Sequence, residues 1–349
     1  MVKSLGKGFT MEETLRFYFL QSGYYVARGI PFKYNNLDIT DIDIWLYNRT
    51  SSVSREITIV DIKNKKTPKA IERIFWVKGL QLAVNANNAL VATTDRNSDV
   101  KEFGKKLDIF VLDGNFLNKI KKFEEELEHR LADEELYQLF DKYSLSKLDG
   151  DWRKKYEESK SLLALGLNFD NLNQLIQNAH FFAEKVLKTP SQRELALRCF
   201  YQICSFIAIN IDYVQKELSF LEDAHLREKA FSNGFRYGSR GEKEIKHIID
   251  MSLNFIEQYS ENGKTVANQA RLNINKELND INTDTLAQYF SKFDVLKSTF
   301  NIAIEFEKLS MNRAFKLHSS ASIEVKGFVG VLLDYYSIDR VKFSSWLKV

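Results

Sequence analysis

The chain has 349 residues, of which 44% are hydrophobic and 28% are charged, and its net charge at pH 7 is +3. This length predicts roughly two domains of about 100–200 residues each, and the composition excludes an intrinsically disordered chain. Residues 1–120 hold 18 Lys and Arg against 13 Asp and Glu, so they carry 18 − 13 = +5 and the remainder carries 3 − 5 = −2. The front third is therefore the part of the chain that suits a polyanionic partner.

This front third alternates helical and strand patterns. Residues 11–22 predict an amphipathic helix that ends at Gly23. Residues 24–29 predict a short strand, and residues 38–47 predict a second strand whose side chains alternate with a period of two. One face of the second strand carries Ile42, Ile44 and Leu46, and the other carries Asp41, Asp43 and Trp45.

A third strand is predicted at residues 57–63, with Asp61 and Lys63 on the same face. Thr67 and Pro68 indicate a helix start, as N-cap and first-turn residues. The pattern then predicts a helix, a strand, a helix and a strand, at residues 69–86, 89–94, 98–107 and 109–114. Short connections between the first three strands favour antiparallel pairing, and the later helices favour a parallel crossover.

Helical patterns dominate the rest of the chain, with the longest at residues 123–140, 193–221 and 243–259. Residues 146–151, "SKLDGD", are the predicted boundary region. We therefore predict an α/β domain at residues 1–120, a helical linker at 121–150 and an all-α domain at 151–349. The all-α domain would select the substrate, form a homodimer or dock a protein partner.

The cysteine content and the absence of targeting signals bear on the compartment. Cys199 and Cys204 are too few for a disulfide framework and suit a reducing cytosol. Residues 1–15 contain no apolar signal-peptide core, and no apolar run reaches the ~18 residues of a membrane span. We expect a cytoplasmic protein with no membrane partner.

The residues that suggest chemistry lie on the second and third strands. If these strands pair, Asp43 and Asp61 can direct their carboxylates at one divalent cation, because hard cations prefer oxygen ligands. Lys63 lies on the same strand face as Asp61, where its ammonium could contact a phosphate or hold the attacking water. This set predicts metal-dependent hydrolysis of a phosphodiester bond.

At these positions the chain resembles the PD-(D/E)xK nuclease superfamily, which has the restriction-endonuclease-like fold. Asp61-Ile62-Lys63 matches the (D/E)xK element, and "TDIDIWL" around Asp43 resembles the preceding acidic strand. The leading helix is similar to that of Mrr-type restriction enzymes and archaeal Holliday-junction resolvases, which places Glu12, eleven residues before Gly23, in their glutamate position. Glu13 is the alternative. The proline of the PD motif is absent, and the resemblance covers residues 1–120.

The resemblance implies a fold, a cofactor and a set of roles. It implies a mixed sheet flanked by helices and Mg²⁺, for which Mn²⁺ can substitute. Glu12, Asp43, Asp61 and the Ile62 carbonyl would hold the metal, and Lys63 would position or activate water. Gln81 would match a catalytic glutamine or lysine on the helix of some branches.

Several basic residues are candidates for contacts with nucleic acid, although a solvated surface role is the alternative for each. They are Lys65, Lys66, Lys69, Arg236 and Arg240. The sequence thus predicts a DNA endonuclease of restriction or antiphage-defence type. Two alternatives stay open, namely a non-catalytic nucleic-acid-binding or scaffold subunit with a nuclease fold, and an RNase.

Overall fold

The computed structural model describes residues 7–345, apart from residues 36, 66 and 219. Within those residues the chain has five strands, β1 Tyr25–Tyr34, β2 Leu37–Arg49, β3 Arg55–Lys63, β4 Asn88–Thr93 and β5 Ile109–Leu112. The helices that belong to the sheet region are α1 Lys7–Gln21, α2 Ala70–Ala83, α3 Ser98–Lys106 and α4 Gly114–Ile120. A 3₁₀ segment, Lys121–His129, leads away from the sheet.

The helical region follows, with eleven further α-helices in the described part of the chain. These are α5 Asp133–Lys142, α6 Trp152–Ala164, α7 Phe169–Lys188, α8 Arg193–Leu218, α9 Ala224–Tyr237, α10 Gly241–Tyr259, α11 Gly263–Asp280, α12 Asp284–Phe290, α13 Phe293–Met311, α14 Ile323–Tyr335 and α15 Arg340–Ser344.

The five strands form one mixed sheet in the order β1-β2-β3-β4-β5. The first three strands pair antiparallel, and β3-β4 and β4-β5 pair parallel. The crossovers between the parallel strands contain α2 and α3. The predicted mixed sheet flanked by helices, followed by a helical region, is therefore confirmed.

The first strand is longer than predicted, because it runs through Pro31 to Tyr34. It lies at the edge of the sheet, where one side of the strand needs no hydrogen-bonding partner and proline is tolerated. Gly29 has a φ of +52° between the paired residues Arg28 and Ile30, a conformation that favours glycine.

Each face of the sheet buries its own hydrophobic cluster. Ile44 and Leu46 pack with α1, as do Val60 and Ile62 of β3. Trp45 belongs to the opposite cluster, which extends from the sheet into the helical region. The prediction that Ile42 shares a face with Ile44 was wrong, since Ile42 joins the Trp45 cluster beside the irregularity at Gly29.

The helical region packs directly on the sheet rather than standing apart from it. α6 packs against β1, and Tyr25 of β1 shares a 2.7 Å hydrogen bond with Ser205 of α8. α8 is buried around most of its circumference, and both cysteines lie on it as buried free thiols. Pro190–Leu218 is long and apolar enough by composition to cross a membrane, but 94% of its most apolar window is buried inside the protein.

Asp212 of α8 fastens the strand ends near the β2–β3 turn to the helices. Its carboxylate is fully buried and accepts bonds from Tyr47 Oη at 2.7 Å and Arg55 Nε at 2.6 Å. The remaining donors to it are Arg49, Gln215 and Thr299. Because burying a carboxylate without partners is costly, these contacts fix β2 and β3 against α8 and α13.

A second buried network joins α1 to the helical region. Glu13 is 3% exposed and pairs with Arg16, Arg28 and Arg130. Arg130 also pairs with Glu307 of α13 at 2.6 Å. Burial alone would raise the pKa of Glu13, but Arg130, Arg16 and Arg28 lower it from 4.5 to about 2.

We expect Glu13→Gln to lower the free energy of unfolding by about 3 kcal/mol at pH 7. The reason is that lowering the pKa of Glu13 from 4.5 to about 2 on folding stabilises the folded state by about that amount. This contribution is present above pH 4.5 and is lost as the pH falls from 4.5 towards 2. Urea unfolding of both proteins at several pH values should therefore show a gap that narrows below pH 4.5. Glu72→Gln, which breaks an exposed pair with Lys69, is the control and should cost less than ~1 kcal/mol. A gap that stays constant with pH would contradict this role for Glu13.

Candidate active site

The candidate site lies where β2 and β3 stop pairing. The last backbone pair between these strands is Ile44 with Val60, and the next positions along them are Asp43 and Asp61. Beyond that pair, Asp43 Oδ2 accepts a 2.6 Å hydrogen bond from the backbone amide of Ile62. The Asp43 side chain therefore replaces a strand–strand contact and is held beside the Asp61–Lys63 segment.

The surroundings of Asp43 affect its ionisation. Burial raises the pKa of the Asp43 carboxyl, and the Ile62 amide, Lys63 and Arg73 offset only part of that rise. Oδ1 of Asp43 accepts no hydrogen bond from any residue that the structure describes. One oxygen of this carboxylate is thus fixed by the backbone, and the other is available to a ligand.

Asp61 is 7% exposed and is held by an arginine from α2. Arg73 Nε donates to Asp61 Oδ2 at 2.8 Å, and Arg73 Nη2 donates to Oδ1. The guanidinium also lies over the Trp76 ring, 5.6 Å from its centroid. Arg73 was not predicted from the sequence, although a basic residue in the first turns of the helix after a DxK strand was a signal that could have indicated it.

Lys63 ends β3 on the same strand face as Asp61 and is half-buried. No described carboxylate lies within ion-pair distance of its ammonium. Its charge lowers the pKa of Asp43, which places the ammonium within electrostatic range of that carboxylate. The structure therefore brings Asp43, Asp61 and Lys63 together around the Ile62 backbone.

Glu12 approaches this group from α1, on the other face of the sheet. Its carboxylate is paired with Arg28, which also binds Glu13 and Glu134. Burial raises the pKa of Glu12, Arg28 opposes that rise, and the negative charge of Asp43 adds to it. Glu12 is thus an electrostatic neighbour of Asp43 while its oxygens face an arginine.

Whether these residues suit Mg²⁺ depends on their donor atoms and on their present partners. In the described part of residues 7–345, no group of three or more His, Cys, Asp or Glu side chains has metal-binding geometry. The donors at the site are nevertheless all oxygens, as a hard cation requires. Arg73 also places a positive charge against both oxygens of Asp61. These donor atoms suit a divalent cation once the arginine partners of Asp61 and Glu12 move away from the carboxylates.

The structure does not bring Gln81 to this site. Gln81 lies in the last turn of α2, and its Nε2 donates to the backbone carbonyl of Asn87 at 2.9 Å, just before β4 begins. Lys63 pairs with Thr93 at the opposite end of β4. Gln81 therefore stabilises the α2–β4 turn.

The basic loop after β3 is only partly in the described structure, because Lys66 lies outside it. Lys65 is exposed, and its carbonyl accepts a 2.5 Å bond from Thr94. Lys69 has a φ of +51° and pairs with Glu72 at 3.0 Å. Lys69 directly precedes α2, so the expectation that Thr67 is the N-cap was wrong.

Arg236 and Arg240 lie in the helical region and contact the protein itself. Arg236 donates to Thr283 at 3.2 Å, and Arg240 pairs with Glu244 at 3.4 Å. The structure assigns them to the surroundings of α9 and α10 rather than to the strand ends that carry Asp43 and Asp61.

A cavity of about 430 Å³ opens beside the site, at the carboxyl ends of β3, β4 and β5. It adjoins the site through Asn64, which follows Lys63, and Met11, which precedes Glu12. Three exposed charged residues line it, namely the cations Arg96 and Lys121 and the carboxylate Glu124, so the two cations outnumber the one anion. The cavity is therefore positioned to admit an anionic ligand next to the carboxylates.

Comparison of the chain with protein-family models, with curated proteins and with solved structures gives no significant match.

The two functions of Asp43 can be separated by substitution. Asn keeps an oxygen that can accept from the Ile62 amide, whereas Ala leaves that amide without its partner. We expect Asp43→Ala to cost about 1–3 kcal/mol in the free energy of unfolding. Asp43→Asn should lower the free energy of unfolding by less, or even raise it. The raised pKa of Asp43 means that the folded state disfavours the charged carboxylate, and Asn carries no charge. Urea unfolding at pH 7 measures both, and equal losses would show that the Ile62 contact contributes nothing.

Proposed function

We propose that this chain is a Mg²⁺-dependent endonuclease that acts on DNA, with Mn²⁺ able to substitute, and that its sheet region has a restriction-endonuclease-like fold. The observation that carries the proposal is the hydrogen bond from the Ile62 amide to the Asp43 carboxylate. This bond holds Asp43 beside the end of β3, where Asp61 and Lys63 lie. Two carboxylates and one amine at diverging strands suit the hydrolysis of a phosphodiester.

In this proposal Asp43 and Asp61 are the main metal ligands, and Glu12 and the Ile62 carbonyl complete the set. A bound divalent ion would neutralise charge on the phosphate and lower the pKa of water. Oδ1 of Asp43 is the oxygen that needs no rearrangement, since Oδ2 is already fixed by the backbone. The ammonium of Lys63 is the group that would orient the attacking water or the scissile phosphate.

The cavity beside the site supplies the route for the substrate backbone. Its walls include α1, α4 and the loops that follow β3, β4 and β5. Arg96 and Lys121 are the exposed cations on these walls. Phosphate contacts of this kind position nucleic acid without reading its sequence. A restriction or antiphage-defence role remains an extension of the family resemblance.

The helical region carries an exposed apolar stripe that supports the prediction of a homodimer or protein partner. Ile248, Met251, Phe255 and Tyr259 lie at helical spacing on α10 and are 38–80% exposed. A contiguous exposed apolar stripe is typical of an association surface.

We expect purified protein to nick plasmid DNA when Mg²⁺ or Mn²⁺ is present, and Asp61→Asn or Lys63→Ala to lower the rate by about 10²–10⁴-fold. Gel electrophoresis of supercoiled plasmid measures the nicked fraction. Lys246→Ala is the matched control, because Glu244-Ile245-Lys246 has the same three-residue pattern on the exposed helix α10. Single-stranded RNA is tested in parallel, since preferential RNA cleavage would favour the RNase alternative. If the wild type and both variants behave alike on DNA and on RNA, the enzyme proposal fails.

We expect Arg96→Ala and Lys121→Ala each to weaken duplex DNA binding and to reduce the salt dependence of the binding constant by about one unit of slope. Both cations line the cavity, so each should release one counterion on binding. Fluorescence anisotropy with Ca²⁺ in place of Mg²⁺ measures the affinity over a series of salt concentrations. Lys276→Ala, an exposed lysine on α11, should leave the slope unchanged. An equal loss of DNA affinity in all three variants would contradict the proposed route of the substrate backbone through this cavity.

One observation favours a second candidate, a nucleic-acid-binding or scaffold subunit without hydrolysis. Asp61 already has a cation on both oxygens, in Arg73. In a protein that binds no metal, this pair would simply close the gap between β3 and α2. Metal binding by the purified chain distinguishes the two candidates.

A further inference from the structure

The four charged residues around the Ile62 backbone balance one another without any bound ion. Asp43 and Asp61 contribute two negative charges, and Lys63 and Arg73 contribute two positive charges. A divalent cation added to this set would leave a surplus of two positive charges. The arrangement therefore favours a metal only if one cation leaves or if an anion enters.

Arg73 is the cation that competes directly with a metal. Its guanidinium donates to Oδ1 and Oδ2 of Asp61 at the same time. A magnesium ligand must bring an oxygen to about 2.1 Å of the ion, so the guanidinium and the ion cannot share the same side of this carboxylate. Lys63 makes no such contact with a described carboxylate.

Arg73 is more exposed to solvent than the carboxylate that it holds. Its side chain is 22% exposed, whereas that of Asp61 is 8% exposed. Within the described chain, the guanidinium donates to Asp61 alone. The neighbouring Trp76 ring offers a face on which the cation already rests in part.

We propose, on the basis of the proposed nuclease function, that Arg73 is a positioning residue that holds Asp61 closed until a nucleic-acid phosphate draws it away. Guanidinium groups bind phosphate as readily as carboxylate, with the same two-point geometry. Transfer of Arg73 from Asp61 to a backbone phosphate frees the carboxylate for the metal and replaces its neutralising charge. Metal binding and nucleic-acid binding are then coupled, so that each strengthens the other.

The experiment measures Mn²⁺ affinity of the full chain by titration calorimetry, without nucleic acid. We expect Arg73→Gln to bind Mn²⁺ roughly tenfold or more tightly than the wild type, because an arginine beside an aspartate opposes the binding of another cation just as it opposes protonation. Arg73→Lys should lie between them, because an ammonium cannot hold both oxygens as the planar guanidinium does. Arg340→Gln is the matched control, since Arg340 makes a similar two-point pair with Asp334 far along the chain. Circular dichroism spectra and thermal melting establish that each variant is folded.

The coupling is measured in a Lys63→Ala background, which blocks the proposed cleavage. A duplex oligonucleotide should raise Mn²⁺ affinity in both proteins, because its phosphates attract the ion, but the increase should be larger in Lys63→Ala than in Lys63→Ala/Arg73→Gln. If Mn²⁺ binds the wild type and Arg73→Gln equally, or binds Arg73→Gln more weakly, the role of Arg73 is overturned while the nuclease proposal stands. If Mn²⁺ binds neither the wild type nor Arg73→Gln, both proposals fail together.

Discussion

The hydrogen bond between the Asp43 carboxylate and the Ile62 amide is the contact on which the candidate site depends. Backbone pairing between β2 and β3 ends one residue earlier, at Ile44 and Val60. A buried amide left without an acceptor would cost about 1–3 kcal/mol, so the carboxylate stabilises the point at which the strands separate. The same contact fixes the position and orientation of an acidic group beside Asp61 and Lys63. Structure and proposed chemistry thus depend on the same side chain.

The helical region holds the strands that form this gap. Asp212 of α8 accepts hydrogen bonds from β2 and β3 at the far end of these strands. Glu13 of α1 pairs with Arg130, which in turn pairs with Glu307 of α13. Apolar packing between β1 and α6 continues the hydrophobic cluster of the sheet into the helices. The helical region therefore supports α1, β2 and β3, which are the elements that carry the acidic residues.

The site combines carboxylates that suit a metal with arginines that presently neutralise them. Arg28 holds Glu12 on one face of the sheet, and Arg73 holds Asp61 on the other. Such pairs keep buried carboxylates stable when no metal is bound, because an unpaired buried charge is strongly destabilising. They also mean that an exchange of partners must accompany any metal binding. This requirement connects the proposed hydrolysis to the arrival of an anionic substrate.

The sequence by itself determined the elements of the sheet region, since period-two alternation in β2 and β3 and the Gly23 helix stop are local signals. It also determined that Asp61 and Lys63 share a strand face, which alternation alone requires. Only the tertiary structure decided what those side chains contact. The partners Arg73, Arg28 and Asp212 come from other elements, and no local pattern records which distant charges meet when the elements pack. For the same reason Gln81, correctly predicted to lie on a helix, proved to lie at the end of α2 away from the site.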